Sequence, residues 1–266
     1  MGADTKALRS RIRSVDSTLH LTRAMGLVAS SKIRRSLDRM RNARSYADAV
    51  EGLVRELSAF PECRRGVFCR AGGERTRLVV IAGDRSLCGG YNANVFRLAA
   101  THPDAEILPI GKRAHERFGG TFLSSEHLSR EEGYGLAVRL CREFAAGEYD
   151  RLVILSTRFR SMLSQEPILT EVLPLSVKAE AAPGSLLFEP DAETVLDAAV
   201  PEYVFAVLMA AVRESFASEV AARRMAMDNA DKNATQMIAD LQLAYNRARQ
   251  SAITQEITEI VAGSGE

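Results

Sequence analysis

Apolar and small residues recur along the first 60 positions at alternating steps of four and three. The series runs Leu8, Ile12, Val15, Leu19, Thr22, Gly26, Ala29 and Ile33. After one extra step of four it resumes as Leu37, Met40, Arg44, Ala47, Val50 or Glu51, Val54 and Leu57. This is a heptad seam with a single stutter, and it predicts a long helix built to pair with another, its left-handed supercoil relaxed at the stutter. Residues 202–262 form a second stretch nearly free of breakers and rich in good helix formers. Ala217, Ala221, Ala222, Ala226, Ala230 and Ala234 line it with small side chains. Small residues on both segments suit close approach of the two helices.

Between them the period changes. Arg77–Ala82 is a continuous apolar run, expected of a strand buried on both faces. Further strands are expected at Glu106–Ile110 and Arg151–Ser156, with an edge strand at 168–175, where Pro174 is tolerated. Helical stretches fall at about 94–100, at Lys112–Phe118 and at 135–146. Alternating strands and helices imply a mostly parallel sheet with helices packed on it. The expected fold is therefore α/β, with a Rossmann-like domain at 61–200 between coiled-coil helices at 1–60 and 201–266.

Length bears on the arrangement. A 60-residue helix extends roughly 90 Å, whereas a compact globule of this chain length is about 45–50 Å across. The two helices are thus expected to project together as a long antiparallel pair, with enough bare surface to call for a surrounding partner. A free-standing structural coiled coil is the plain alternative.

The net charge of +1 conceals an asymmetry. Residues 1–60 carry 12 Lys/Arg against 6 Asp/Glu, a net of +6, while residues 61–200 (17 against 19) and 201–266 (6 against 9) are mildly acidic. A local positive end points to an acidic partner surface for the first helix. Arg9, Arg11, Arg13, Arg23, Lys32, Arg34, Arg35, Arg39, Arg41 and Arg44 carry it. Nucleic acid is one such surface, but these residues occupy several helix faces, and Tyr46 is the only aromatic before residue 60.

Candidate chemistry is sparse. Ala82-Gly-Asp-Arg-Ser-Leu-Cys-Gly-Gly-Tyr-Asn92 follows the first strand, where a nucleotide-binding turn would lie. It has neither the GxGxxG spacing nor the Lys of a P-loop. Cys88 has no His or second acid within the motif to activate it, so a packed turn around a small thiol is expected. The four histidines make no metal-ligand spacing, and no cofactor is expected. Cys63 and Cys69 read as free thiols, with a redox pair as the alternative. No run of about 18 apolar residues and no signal peptide is apparent, so direct membrane insertion is not expected.

Taken together, these segments resemble the gamma subunit family of F-type ATP synthases from end to end. Leu8–Val15 and Leu21–Arg35 look like the family's opening helix. Asp84-Arg-Ser-Leu-Cys-Gly-Gly-Tyr-Asn92 is similar to its DRGLCGGYN signature, and Leu243–Val261 to its closing helix. The resemblance implies a non-catalytic rotor, one copy per complex, turning inside a hexamer of alpha and beta subunits. It also implies a foot that binds epsilon and the c-ring, and no nucleic-acid partner. Arg23, Met25, Lys32, Arg249, Gln250 and Thr254 match positions that contact beta. Asp84, Arg85, Cys88, Gly89, Gly90 and Asn92 match the foot motif, with a structural role. The location implied is the cytoplasmic face of a bacterial inner membrane, held peripherally. Gly26 stands where the family usually has a charged residue, and Gly83 and Ser86 replace its usual Ser and Gly. The chain is also shorter in the middle and lacks the chloroplast redox insert and a transit peptide.

Overall fold

A computed structural model of the chain describes residues 2–70, 72–176 and 188–263. The elements run α1 (Gly2–Ser58), β1 (Thr76–Ile81), α2 (Tyr91–Ala99), β2 (Glu106–Ile110), α3 (Lys112–Phe118), α4 (Arg130–Ala145), β3 (Arg151–Phe159), β4 (Gln165–Leu173) and α5 (Ala192–Gly263). Two compact units emerge: Met1–Ser30 with Arg223–Glu266, and Ser31–Ala222. Each long helix contributes one stretch to each unit.

In the second unit the sheet order is β2-β1-β3-β4, with β1 parallel to both β2 and β3 and β4 antiparallel at one edge. Leu78 to Ile81 in β1 are fully buried, as the unbroken apolar run requires. Alternate residues serve opposite faces. Val79, Ile81, Ile110, Leu152 and Ile154 enter the larger core with α4 and with Leu196, Val200, Val204 and Leu208 of α5. Leu78, Val80, Val153 and Leu155 pack with Val95 and Ala99 of α2 and Ala114 of α3.

Several boundaries differ from expectation: α2 begins at Tyr91, and β4 ends at Leu173, short of Pro174. The expected helix at 135–146 begins five residues earlier, because Ser129 and Glu132 form a reciprocal capping box ahead of it. β3 and β4 extend further towards their hairpin than the apolar runs alone indicate. The long second helix starts at Ala192 and passes through Pro201. Asp191 caps it by accepting from the Thr194 N–H at 2.8 Å and the Thr194 hydroxyl at 2.9 Å. The buried row Leu196, Val200, Val204 and Leu208 then carries the helix past a proline that supplies no N–H.

That stretch also revises one sequence expectation. α5 contains an 18-residue window apolar enough, by length and composition, to cross a membrane. The apolar residues around 194–212 are core residues of the sheet domain, and this use accounts for the hydropathy.

On α1 the seam is visible as burial. In the first unit Leu19, Thr22, Gly26 and Ala29 are buried, and in the second Ser36, Met40, Ala47, Val54 and Leu57. At the stutter burial passes to Ser36, while Ile33 and Leu37 on either side are only half-buried. The Ser36 hydroxyl donates to the Lys32 carbonyl at 2.9 Å, so the polar group costs little there. The pairing of α1 and α5 is antiparallel in each unit: Arg23 meets Asp231 and Gly26 lies beside Met227 in one, and Arg44 meets Glu214 and Tyr46 meets Glu202 in the other.

Candidate functional site

The turn after β1 is organised by Asp84. Its Oδ1 accepts from the Lys112 N–H (2.9 Å) and the Ser125 N–H (3.3 Å). Its Oδ2 accepts from the Ser124 hydroxyl (2.6 Å) and the Glu126 N–H (2.9 Å). One carboxylate thus ties the β1 turn to the start of α3 and to the loop before α4. Burial works to raise its pKa, but the hydrogen bonds from Ser124, Glu126, Lys112 and Ser125 outweigh it and hold the carboxyl below its usual range.

The rest of the motif packs inward. Asn92 accepts from the Gly83 N–H at 2.9 Å and donates to Cys88 Sγ at 3.2 Å. Cys88 is buried, Gly89 takes a left-handed φ of 59°, and Gly90 precedes the first turn of α2. Arg85 is exposed and lies 3.4 Å from Glu126. These residues brace a turn.

The crevice at the carboxyl end of β1 and β3 is where a doubly wound sheet ordinarily takes a ligand, because the connections from these strands diverge there. Here α5 fills it. Ser215 Oγ accepts from the buried Thr157 N–H at 3.0 Å, and the Ser215 carbonyl accepts from the Tyr91 hydroxyl at 2.9 Å. Ser218 Oγ donates to the Thr157 carbonyl, and Glu214 accepts from the Phe159 N–H while receiving Arg44 Nη2 on both oxygens. Glu219 lies beneath Gly83, where a Cβ would sit 2.8–3.1 Å from its carboxylate. A Cβ at Gly83 would force the Glu219 carboxylate to shift, so glycine gives that carboxylate its room.

Sequence reasoning found the turn but not its partners. Ser124, Glu126, Ser215 and Glu219 lie 40 to 135 positions away and belong to no local pattern.

The thiols are quiet. All four cysteines are free. Burial pushes Cys63 up to about 11, with Cys69 nearby adding to it, and pushes Cys141 up to about 12. Neither is a thiolate at neutral pH. Among the described residues no group of three or more His, Cys, Asp or Glu side chains is placed to hold a metal.

The remaining predicted residues divide between the units. In the first, Arg23 is exposed and bonds Asp231 at 2.7 Å, and Met25 is half-buried beside it on α1. Arg249, Gln250 and Thr254 are exposed on α5, with Thr254 back-bonding to the Gln250 carbonyl at 3.0 Å. Leu243, Ile253, Ile257, Ile260 and Val261 are exposed along the same stretch. In the second unit, Lys32 bonds Glu126 at 2.6 Å. Burial pushes the Glu126 pKa upward, and the Lys32 hydrogen bond and charge, with Arg85, bring it below the usual range. Of the ten basic residues picked out on the first helix, Arg23, Lys32, Arg41 and Arg44 are thus engaged by acids of the chain itself.

A family profile described as ATP synthase matches residues 4–265. The ATP synthase gamma chain of Ralstonia nicotianae is 36% identical, over 98% of this chain and 99% of that one. Two solved structures share the fold. A chain of the Euglena gracilis mitochondrial ATP synthase OSCP/F1/c-ring assembly aligns with a TM-score of 0.70 at 19% identity, covering 98% of this chain and 94% of the other. A chain of the Tetrahymena thermophila mitochondrial ATP synthase central stalk and c-ring aligns with a TM-score of 0.62 at 22% identity, covering 79% and 99%.

Proposed function

The chain belongs to the ATP synthase gamma chain family, and from that premise we propose that it is the central-stalk rotor of an F1Fo ATP synthase. It couples ion flow through a c-ring to ATP synthesis on beta subunits by turning inside an alpha–beta hexamer. The observation that carries the reading is likeness over almost the whole length of both chains, both long helices included.

On this reading the subunit is non-catalytic. The place where an α/β sheet would hold a nucleotide is occupied by α5, whose Ser215 and Glu214 accept from the Thr157 and Phe159 N–H groups while Ser218 donates to the Thr157 carbonyl. The catalytic groups then belong to beta, with alpha contributing. Epsilon and the c-ring bind the sheet domain, and one copy serves each complex. The protein sits peripherally on the cytoplasmic side of a bacterial inner membrane. Coupling requires that the rotor's orientation interact differently with the several conformations of beta, since a contact equal in all of them shifts nothing.

Arg23, Met25, Arg249, Gln250 and Thr254 are proposed contacts to beta. The planar guanidinium of Arg249 suits a bidentate carboxylate contact. Lys32 belongs to this set only if a beta carboxylate shares the ammonium with Glu126. The foot motif has the bracing role described above.

Co-expression with alpha and beta from the same source, followed by size exclusion and an ATPase assay, tests the proposal. A complex that hydrolyses ATP only with this chain present is expected. Elution of the chain apart from an assembled alpha–beta complex overturns it. Replacing Arg249 and Gln250 by alanine, both exposed, should leave the chain folded and lower coupled ion pumping severalfold, at roughly 1 kcal/mol or more per lost charged contact. Unchanged pumping would remove those two residues from the contact set.

A further inference from the structure

Within the sheet-bearing unit, α1, α5 and the loop before α4 meet around an open hollow of about 530 Å³. Arg39 and Asn42, one turn apart on α1, line one side and Arg213 of α5 the other. His127 is also on the wall, and Leu128 and Met209 supply apolar surface.

The charge in this hollow is unbalanced. Arg213 is half-buried, yet its guanidinium is held by backbone carbonyls rather than by an acid: Nη2 donates to Leu128 at 2.9 Å and Nη1 to Glu126 at 3.5 Å. Those bonds fix the head group and leave its other N–H groups uncommitted. Arg39 is exposed, and no acid among the described residues pairs with it. The one carboxylate on the wall, Glu126, is already engaged by Lys32 at 2.6 Å and by Arg85 at 3.4 Å. His127 stands 4.0 Å from that same carboxylate. Burial, with repulsion from Arg39, lowers the pKa of Arg213, the signature of a cation lacking a counter-charge.

Two guanidiniums and an amide on one hollow, with the Arg213 head group pre-positioned by backbone carbonyls, supply the donors that recognise an oxyanion. We propose that the Arg39–Arg213 hollow is an oxyanion-binding site, taking either a free phosphate-class anion or a carboxylate presented by another subunit. Both sources offer the same chemistry, two or more oxygens sharing negative charge, and the site neutralises two cations that folding has brought together. A phosphate bound there touches α1, α5 and the α4 loop at once.

Calorimetric titration of the full-length chain with inorganic phosphate, against chloride at matched ionic strength, tests the site. Saturable binding is expected, at least tenfold weaker in Arg39→Gln. Because Arg39 makes no contact on which the fold depends, this variant separates loss of the site from misfolding. Arg213→Lys, which keeps the charge but not the fork, should weaken binding as well. Absence of saturation, reproduction of the heat by chloride, or equal affinity in Arg39→Gln overturns the proposal. Repeating the titration on the complex with alpha and beta, with and without the further subunits, distinguishes the sources. Phosphate binding that persists marks a free anion, and phosphate excluded only when a particular subunit is present marks that subunit's carboxylate. The isolated-chain arm does not depend on the rotor assignment, so failure of assembly and failure of the site are read separately.

Discussion

Asp84 accepts four hydrogen bonds from two other segments of chain, and its carboxyl is held below the usual range. The sign of the resulting pH dependence follows. A depressed folded-state value means that the stabilisation is fully present above the unfolded value, about 4, and is lost as pH falls through the folded value. Urea midpoints should therefore drop on acidification below about pH 4, and the drop should be shallower in Asp84→Asn. At neutral pH that variant should lose about 1–3 kcal/mol, since three backbone donors lose a carboxylate acceptor. An unchanged acid limb would remove Asp84 from this role. Gly26 gives the opposite case. A Cβ there would lie 3.5 Å from Met227 Cβ and 3.3 Å from the end of the flexible Arg224 side chain, so alanine fits with a small adjustment. Gly26→Ala should raise stability by about 0.5–1 kcal/mol through helix propensity, read as a higher urea midpoint. A lower midpoint would mean that the helices need the closer approach.

For the elements, the decisive feature is α5 lying across the strand ends. Ser215 is the test residue because its side chain satisfies the buried Thr157 N–H and its carbonyl receives Tyr91. Ser215→Ala should cost about 1–3 kcal/mol by orphaning that amide, measured by denaturant unfolding. A loss under half a kilocalorie would indicate that water enters in its place. The same contacts mark the limit of what the sequence reveals. Periodicity gave β2 and α3 to the residue and most of the buried seam of α1, because such signals depend on near neighbours and a fixed period; it missed Ser36 at the stutter and counted Arg44, which is exposed. Pro201 misled, because a single residue's breaker chemistry was outweighed by the buried row on either side of it. Ser215, Glu219 and Glu126 were invisible for a different reason: their roles come from docking between elements far apart in sequence. The turn motif was found as a string of letters, and Asp84's four donors emerged only once three loops were brought together.

Across the whole molecule, the two units are stabilised by different means. The unit of residues 31–222 has a sheet with both faces buried and strand amides hydrogen-bonded throughout β1 and β3. The other unit consists of two helical stretches, and its C-terminal part exposes Leu243 (53%), Ile253 (46%), Ile257 (56%), Ile260 (70%) and Val261 (65%). Helices draw most of their stability from burying an apolar face, so a stretch with this much bare apolar surface opens readily when the chain is alone. Hydrogen exchange on the isolated chain should show amides from about 240 to 263 exchanging at least roughly a hundredfold faster than those of β1 and β3. Assembly with alpha and beta should slow the first group and leave the strands unchanged, because only the helix end gains a surface to bury its leucine, isoleucines and valine against. Strong protection of residues 240–263 without partners would contradict this and would mean that the helical unit is stable in isolation. Slowing confined to the sheet would place the partner on the wrong unit and count against the rotor assignment itself.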